Sequence, residues 1–282
     1  MSINNPVSLA NGNTIPNVGF GTFQTPPDET KIAVAEAIKA GYRHIDTAAI
    51  YGNEAGVGEA VRESGVGRGE FFITTKVWNT ERGFEKTLAA AEGSLEKLGL
   101  DYVDLLLVHW PANYLQFGSE AKALNADTWR AFEHLYEQGR AKAIGVSNFM
   151  AHHLEALEET AKVRPMVNQI EVHPGWYQAN AIKWCQDHDI VVEAWSPLGQ
   201  QAVLAHPVLQ EIADRHGKET AQVSLRWALQ HGLIPLPKSV TPARIRSNTE
   251  LFDFVLSVEE IQAIDKLENI GGPCLRPDDV LF

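Results

Sequence analysis

"RHIDTAAIYGNE", residues 43–54, is the stretch on which the architecture turns. A short apolar run ends on Asp46, small residues turn the chain, and Tyr51 opens what reads as a helix. A plain connection between packed elements needs neither an acid nor a phenol at that point, which raises the question of whether other strands also end in chemistry. Strands are expected at residues 18–22, 43–46, 71–76, 103–109, 141–147, 166–169, 191–195 and 233–235, eight in all. Each is short and nearly continuously apolar, the pattern of strands buried on both faces. Successive runs finish at Asp46, at Lys76 in "FFITTKVWN", at His109 in "DLLLVHWP" and at Ser147 and Asn148 in "IGVSNF". The rest finish at Gln169 in "VNQIEVHP", at Trp195 and Ser196 in "VVEAWSPLG", and just ahead of Lys238 and Ser239 in "PLPKSV".

Between the strands lie segments with helical spacing. Phe84, Leu88, Ala91, Leu95 and Leu98 step by four or three and share one face, and Leu154, Leu157 and Ala161 do the same. Gly41, Gly99 and Gly139 stand where helix C-terminal caps are expected. Ahead of the first strand, "NGN" at residues 11–13 reads as the turn of a small hairpin. The β-then-α unit repeats in kind but not in sequence, which argues against a solenoid, and no linker or low-complexity stretch divides residues 1–282. One α/β domain follows, a (β/α)8 barrel with a short N-terminal hairpin, a fold that takes roughly 250 residues. The alternative is an open doubly wound sheet with a Gly-rich turn after its first strand. "GFGTFQ" at 19–24 has only two glycines and no helix opening on them, and "GVGEAV" at 56–61 lies inside a helical segment.

Composition narrows the partners. Against 24 basic residues stand 36 acidic ones, a formal charge of -12 that repels nucleic acid and anionic membrane surfaces. The two cysteines, Cys185 and Cys274, have no CxxC spacing, so neither a disulfide framework nor a thiolate metal site is expected. The start of the chain has no basic-then-apolar leader and the run at 105–108 is too short for a bilayer, so a cytoplasmic location is expected. A metal-dependent hydrolase would need ligand-spaced histidines; the ten present show no HxH or HExxH, and the pair His152 and His153 is expected on a helix surface. No metal is expected.

Taken singly, the strand-end residues have structural readings: Asp46 could cap a helix, Lys76 could be a solvated stem, His109 a satisfied core histidine. In a barrel, however, all these ends share the face on which active sites are built. A free tyrosine titrates at about 10, and a nearby ammonium lowers that value by favouring the phenolate. Lys76 could supply the charge to Tyr51, Asp46 could hold Lys76, and His109 could hydrogen-bond a substrate oxygen. Such a set donates a proton to a developing alkoxide and contains no nucleophile, which suits hydride delivery to a carbonyl from a cofactor. Phe23, Tyr51, Trp78 and Trp110, with His109, would wall a small-molecule pocket; barrel-top packing is the other reading of Phe23 and Trp110.

Seven motifs, "GYRHIDTAAIYGNE", "TTKVW", "LLLVHWP", "IGVSNF", "VNQIEVHP", "SPLG" and "PKSVTPARIRSN", run in this order over essentially the whole chain. Together they resemble the aldo-keto reductases, above all the bacterial branch that contains 2,5-diketo-D-gluconate reductases. The resemblance implies a barrel that binds NADPH in extended form across its C-terminal face without a Rossmann motif. It implies Tyr51 as general acid, tuned by Asp46 and Lys76, with His109 orienting the carbonyl. Ser147, Asn148 and Gln169 would hold the nicotinamide amide, Trp195 would stack on its ring, and Ser196 to Gly199, including Leu198, would follow the pyrophosphate. Lys238, Ser239 and Arg244 would grip the 2′-phosphate, with Asn248 near the adenine and Thr22, Asp46 and Val240 completing the cofactor contacts. Val240 and Ser247 depart from the aromatic and the acidic or amide side chains common at those places. Lys238, Arg244 and Arg246 form a cationic group in an acidic chain, suited to phosphate, with a solvated helix face as the alternative reading. Compact loops and the tail "GGPCLRPDDVLF" point to small carbonyl substrates: aldehydes, α-dicarbonyls, diketo sugar acids or keto esters, reduced by a monomer. The competing function is an NADPH-binding redox sensor or subunit with little turnover, which fold alone does not separate from an enzyme.

Overall fold

The structure, a computed structural model, describes residues 2–282. A hairpin comes first: β1 (Pro6–Ser8) and β2 (Thr14–Pro16) pair antiparallel, with Val7 opposite Ile15. Eight further strands follow: β3 (Phe20–Gly21), β4 (His44–Asp46), β5 (Phe72–Val77), β6 (Leu105–Val108), β7 (Ile144–Ser147), β8 (Val167–Glu171), β9 (Val191–Trp195) and β10 (Ile234–Pro235). Each pairs in parallel with its neighbour in sequence. The two edges then meet: the Gly19 amide donates to the Pro235 carbonyl at 3.1 Å and the Gly21 amide to the Pro237 carbonyl at 3.0 Å. The sheet is thereby closed into a (β/α)8 barrel. The two glycines of "GFGTFQ" serve this closure, because a side chain at Gly19 would press on Leu236 and His44, and one at Gly21 would come within 3.1 Å of the Leu236 carbonyl oxygen.

Seven of the eight strands lie within two residues of their expected bounds. The exception is 141–147, whose first residues contribute one bridge, Val103 to Ala141, before the continuous ladder begins. Tilted barrel strands diverge beyond the closed ring, which limits how long each ladder can run. The hairpin seals the N-terminal end: Asn11 and Asn13 donate to the Lys142 carbonyl, just ahead of β7, at 3.0 and 2.9 Å. Ile15 and Val18 are fully enclosed there.

Two local expectations need correction. Tyr51 does not open a helix; Ala49–Tyr51 form a 3₁₀ turn closed by Gly52 at φ 68°, and the helix begins at Glu54. Ala161 lies past the end of the helix Ala151–Glu158, so of the three expected residues Leu154 and Leu157 belong to its buried face, where His153 joins them. Among the described residues no helix is long and apolar enough to cross a membrane.

The "GVGEAV" stretch also finds its reason in packing. Gly58 sits where the helix Glu54–Glu63 crosses the end of the helix Phe84–Leu98, and a Cβ there would collide with the Leu98 carbonyl. Gly58→Ala is expected to destabilise the protein by about 1–3 kcal/mol, the cost of overpacking. Gly93→Ala, in the second of those helices with nothing within 4 Å of the new methyl, should stabilise it by about 0.5–1 kcal/mol. Thermal unfolding of the two variants should shift Tm in opposite directions; shifts of the same sign would contradict this packing account.

Candidate active site

The β4–β5 register sets Asp46 beside Thr74, so that Lys76, two residues on, reaches back over the end of β4. Lys76 is 1 % exposed, and each of its three ammonium donors has an acceptor. Nζ donates to Asp46 Oδ1 at 2.7 Å, to the Thr47 carbonyl at 3.0 Å and to the Tyr51 hydroxyl at 3.3 Å. The 3₁₀ turn after β4 delivers the phenol to this contact. His109, one residue past β6, presents its ring edge-on to Tyr51 at 5.8 Å and to Trp78 at 4.9 Å. The four residues expected to act together are together.

Their titration follows from burial and one cation. For Lys76, burial disfavours the charged form, but the Asp46 carboxylate and the Tyr51 oxygen outweigh it and hold the ammonium above its ordinary range. For Tyr51, burial pushes the phenol up and Lys76 pulls it down; burial prevails, so the value lies above the ordinary range. This corrects the expectation of a lowered value, which considered the ammonium alone. His109 is held well below its usual range by burial and then by Lys76, and so is neutral near pH 7. Its Nδ1 is enclosed without a partner, leaving Nε2 as the ring nitrogen available to a ligand.

Gln169 extends the network inward: its Nε2 donates to Asp46 Oδ2 and to Glu193 Oε2, both at 2.8 Å. Glu193 Oε1 lies 3.2 Å from His44 Nε2. Burial, and next the Asp46 charge, raise the Glu193 carboxyl to about 8, while burial lowers His44 to about 3. Their contact is accordingly one between neutral groups and not an ion pair. Sequence reasoning missed both residues because it searched strand ends; the only signal was a glutamate inside the apolar run "VVEAW".

The residues expected around a cofactor form a second shelf at the same face. Ser147 Oγ donates to the Gln169 carbonyl at 2.7 Å, and Asn148 Nδ2 donates to the His109 carbonyl and to Ser147 Oγ, both at 3.0 Å. Trp195 Nε1 donates to Asn148 Oδ1 at 2.8 Å, and Thr22 Oγ1 to the Asp46 carbonyl at 3.0 Å. Next comes a strained turn: Ser196, Gly199, Gln200 and Gln201 take φ of 47°, 51°, 51° and 77°, with Leu198 among them. Left-handed residues in such turns aim amide N–H groups into an anion-holding concavity, and strain in non-glycine residues is concentrated at ligand sites. Beyond it, Lys238 Nζ donates to the Gln24 carbonyl at 3.1 Å and Ser239 Oγ accepts from the Thr241 amide at 3.1 Å. Val240 and Arg244 are exposed and Asn248 is buried. Arg246 turns toward Glu36 at 3.9 Å, so the cationic group reduces to Lys238 and Arg244. A strained amide turn followed by two cations fits a phosphate-bearing cofactor.

Aromatic walls complete the site. Phe23 lies 5.1 Å from Tyr51, and Trp110, though buried, meets Phe282 edge-on at 5.2 Å. Phe282 also stacks on Trp78 at 5.7 Å, a wall residue that nothing in its sequence surroundings announced. The histidine pair divides: His152 is exposed, whereas His153 is buried, its Nδ1 accepting from the Met150 amide at 3.2 Å, contrary to the surface expectation.

A family model described as the aldo/keto reductase family matches residues 17–269. The chain belongs to the aldo/keto reductase family. It is 49% identical over 282 residues to glyoxal reductase of Bacillus subtilis, covering 100% of this chain and 99% of that protein. It is 44% identical over 278 residues to methylglyoxal reductase DkgA of Yersinia pestis, covering 98% and 96%. Its structure superimposes on the Bombyx mori aldo-keto reductase in complex with NADP with a TM-score of 0.89, at 37% identity, covering 99% of this chain and 96% of that one.

The Glu193 carboxyl of this aldo/keto reductase carries a signature that can be measured. A carboxyl near 4.5 in the unfolded chain and about 8 when folded holds an extra proton in the native state between those values. Its contribution to stability is present below the unfolded value and lost as pH rises through 8. Glu193→Gln keeps the neutral shape and removes the titration. The Tm of this variant relative to the parent should rise steadily between pH 5 and about 8; a constant difference would mean that Glu193 is ionised throughout.

Proposed function

We propose that the protein uses NADPH to reduce the carbonyl group of small aldehydes and ketones to alcohols, with Tyr51 as general acid. The observation that carries this reading is the enclosed Tyr51 hydroxyl, 3.3 Å from the Lys76 ammonium and beside a neutral histidine. Bound NADPH supplies the hydride. The carbonyl oxygen sits between Tyr51 and His109, whose Nε2–H orients it without adding charge. Because burial keeps the phenol protonated near neutrality, the acid is loaded before substrate arrives. As the oxygen gains charge, Tyr51 gives it the proton, and the phenolate that forms is stabilised by Lys76, itself held by Asp46.

Gln169, Asn148 and Ser147 are the residues we assign to the nicotinamide amide, Trp195 to its ring, and the turn from Ser196 through Leu198 to the pyrophosphate. Lys238, Ser239 and Arg244 take the 2′-phosphate, Asn248 the adenine, and Thr22 and Val240 flank the path. NADP in the Bombyx mori relative supports the cofactor. The names of the bacterial relatives, together with the motif resemblance to 2,5-diketo-D-gluconate reductases, support α-dicarbonyls and diketo sugar acids, with keto esters within the same pocket. Two unpaired cysteines and the charge of -12 suit a cytoplasmic protein, and we read the whole chain as one catalytic domain working as a monomer.

Tyr51→Phe should lower kcat for methylglyoxal reduction by about 10²–10⁴-fold, while NADPH binding, followed by quenching of tryptophan fluorescence, stays within a few-fold of the parent. Unchanged turnover would remove Tyr51 from the chemistry, and NADPH binding with no reduction of any tested carbonyl by the parent protein would favour the sensor. Arg244→Ala should raise KM for NADPH by roughly 10-fold or more, the loss expected for a charge-assisted phosphate contact, and leave KM for NADH nearly untouched. Equal effects on the two nucleotides would sink the 2′-phosphate assignment.

A further inference from the structure

Behind the strained turn lies a group of side chains that carbonyl reduction does not use. Glu171 ends β8 and His173 follows it; they are 1 % and 0 % exposed. Cys274, half-buried, comes in from the tail, and one ligand atom from each of the three lies within 4.8 Å of the other two. His173 Nδ1 is 2.9 Å from the Pro174 carbonyl oxygen. A carbonyl only accepts, so Nδ1 carries the proton, and in the neutral ring Nε2 is then a bare lone pair. That lone pair faces Glu171 Oε1 at 3.4 Å. Among the described residues neither Glu171 oxygen nor His173 Nε2 has a hydrogen-bond partner. A carboxylate enclosed against a second acceptor is costly unless a cation lies between them.

We propose that Glu171, His173 and Cys274 form a zinc-binding site. Carboxylate oxygen, imidazole nitrogen and thiolate sulfur are all zinc ligands, and bonds of about 2.0–2.3 Å place ligand atoms about 3–4 Å apart. The Glu171–His173 separation already meets this, and the sulfur, now donating to the Gly271 carbonyl at 3.0 Å, needs only a small shift. Sulfur in the set disfavours calcium and magnesium, which take oxygen ligands. On binding, the Cys274 thiol releases its proton to solvent, and the ion keeps a fourth position for water. Gly272 packs so closely that a side chain there would overlap Glu171 and His173, and its amide donates to the Gly199 carbonyl at 3.0 Å. Zinc would therefore tie the tail both to β8 and to the strained turn. The site does not depend on the proposed activity.

The test is a titration of the metal-free, full-length protein with Co²⁺. One ion per chain should bind with a thiolate-to-cobalt charge-transfer band in the near ultraviolet, and Zn²⁺ should abolish the band. Zinc at about 100-fold over its Kd should raise Tm by roughly 5–10 °C. Cys274→Ser should lose both band and shift while keeping the metal-free Tm of the parent. His152→Ala, which removes a ligand from the separate group of His152, His153 and Asp278, should keep both. The proposal is overturned if the parent shows no band and no zinc-dependent Tm shift, the result expected if Glu171 simply pairs with a doubly protonated His173. It is equally overturned if the band survives Cys274→Ser.

Discussion

A lysine ammonium inside a barrel is the constraint on which the rest of this molecule depends. Removing such an ion from water costs several kcal/mol, and breaking a buried pair by deleting one partner costs about 3–5 kcal/mol. Lys76 is tolerated because Asp46, the Thr47 carbonyl and Tyr51 meet its three donors. Those acceptors come from the end of β4 and the turns directly after it, so they arrive in position only when β4 and β5 are paired in register. That pairing belongs to a ring whose last bonds are made by the amides of Gly19 and Gly21. Closure of the fold and assembly of the site are one requirement seen from two ends.

Around the Asp46–Lys76 pair the other titratable groups are kept neutral. Burial lifts Tyr51 and carries Glu193 to about 8, and it depresses His109 and carries His44 to about 3. The consequence is chemical as well as structural. In the proposed role a neutral phenol gives up its proton readily only if its conjugate base can be stabilised when it forms, and the ammonium at 3.3 Å is fixed there beforehand. Gln169 lets the carboxylate and the neutral acid coexist by donating to both, so Asp46 is oriented without a second cation competing for it.

Much of this was legible in the sequence, for definite reasons. Eight apolar runs of strand length with helical spacing between them leave few architectures open, and a polar residue at the end of each run is conspicuous against its neighbours. Asp46, Tyr51, Lys76 and His109 could therefore be grouped before their distances were known. Other features were hidden by the same logic. Glu193 and His44 lie within strands, where a search of strand ends passes over them, and Phe282 meets Trp78 from the far end of the chain, beyond any local pattern. The direction of the Tyr51 shift depends on enclosure as much as on Lys76, and enclosure is a property of the closed barrel. Cysteine spacing was silent about Cys274 because its neighbours Glu171 and His173 come from a strand end about a hundred residues earlier.

The tail shows how such long-range placement is achieved. Its backbone is held at three points above the barrel: the Gly272 amide on the Gly199 carbonyl after β9, the Pro277 and Val280 carbonyls on Asn113 Nδ2 after β6, and the Phe282 carbonyl on Asn79 Nδ2 after β5. Asn113 and Asn79 are buried and use side-chain amides to grip main-chain atoms, so the path is set by the barrel and not by which side chains the tail carries. A path fixed through the backbone leaves the side chains along it free to be chosen for other ends. Phe282 can then serve as a wall against Trp78 and Trp110, and Cys274 can be set against Glu171 and His173, without either being needed to hold the tail in place. The same strap runs from the strained turn beyond β9 to the aromatic walls beyond β5 and β6, so one short stretch of chain touches both ends of the face on which the candidate site is built.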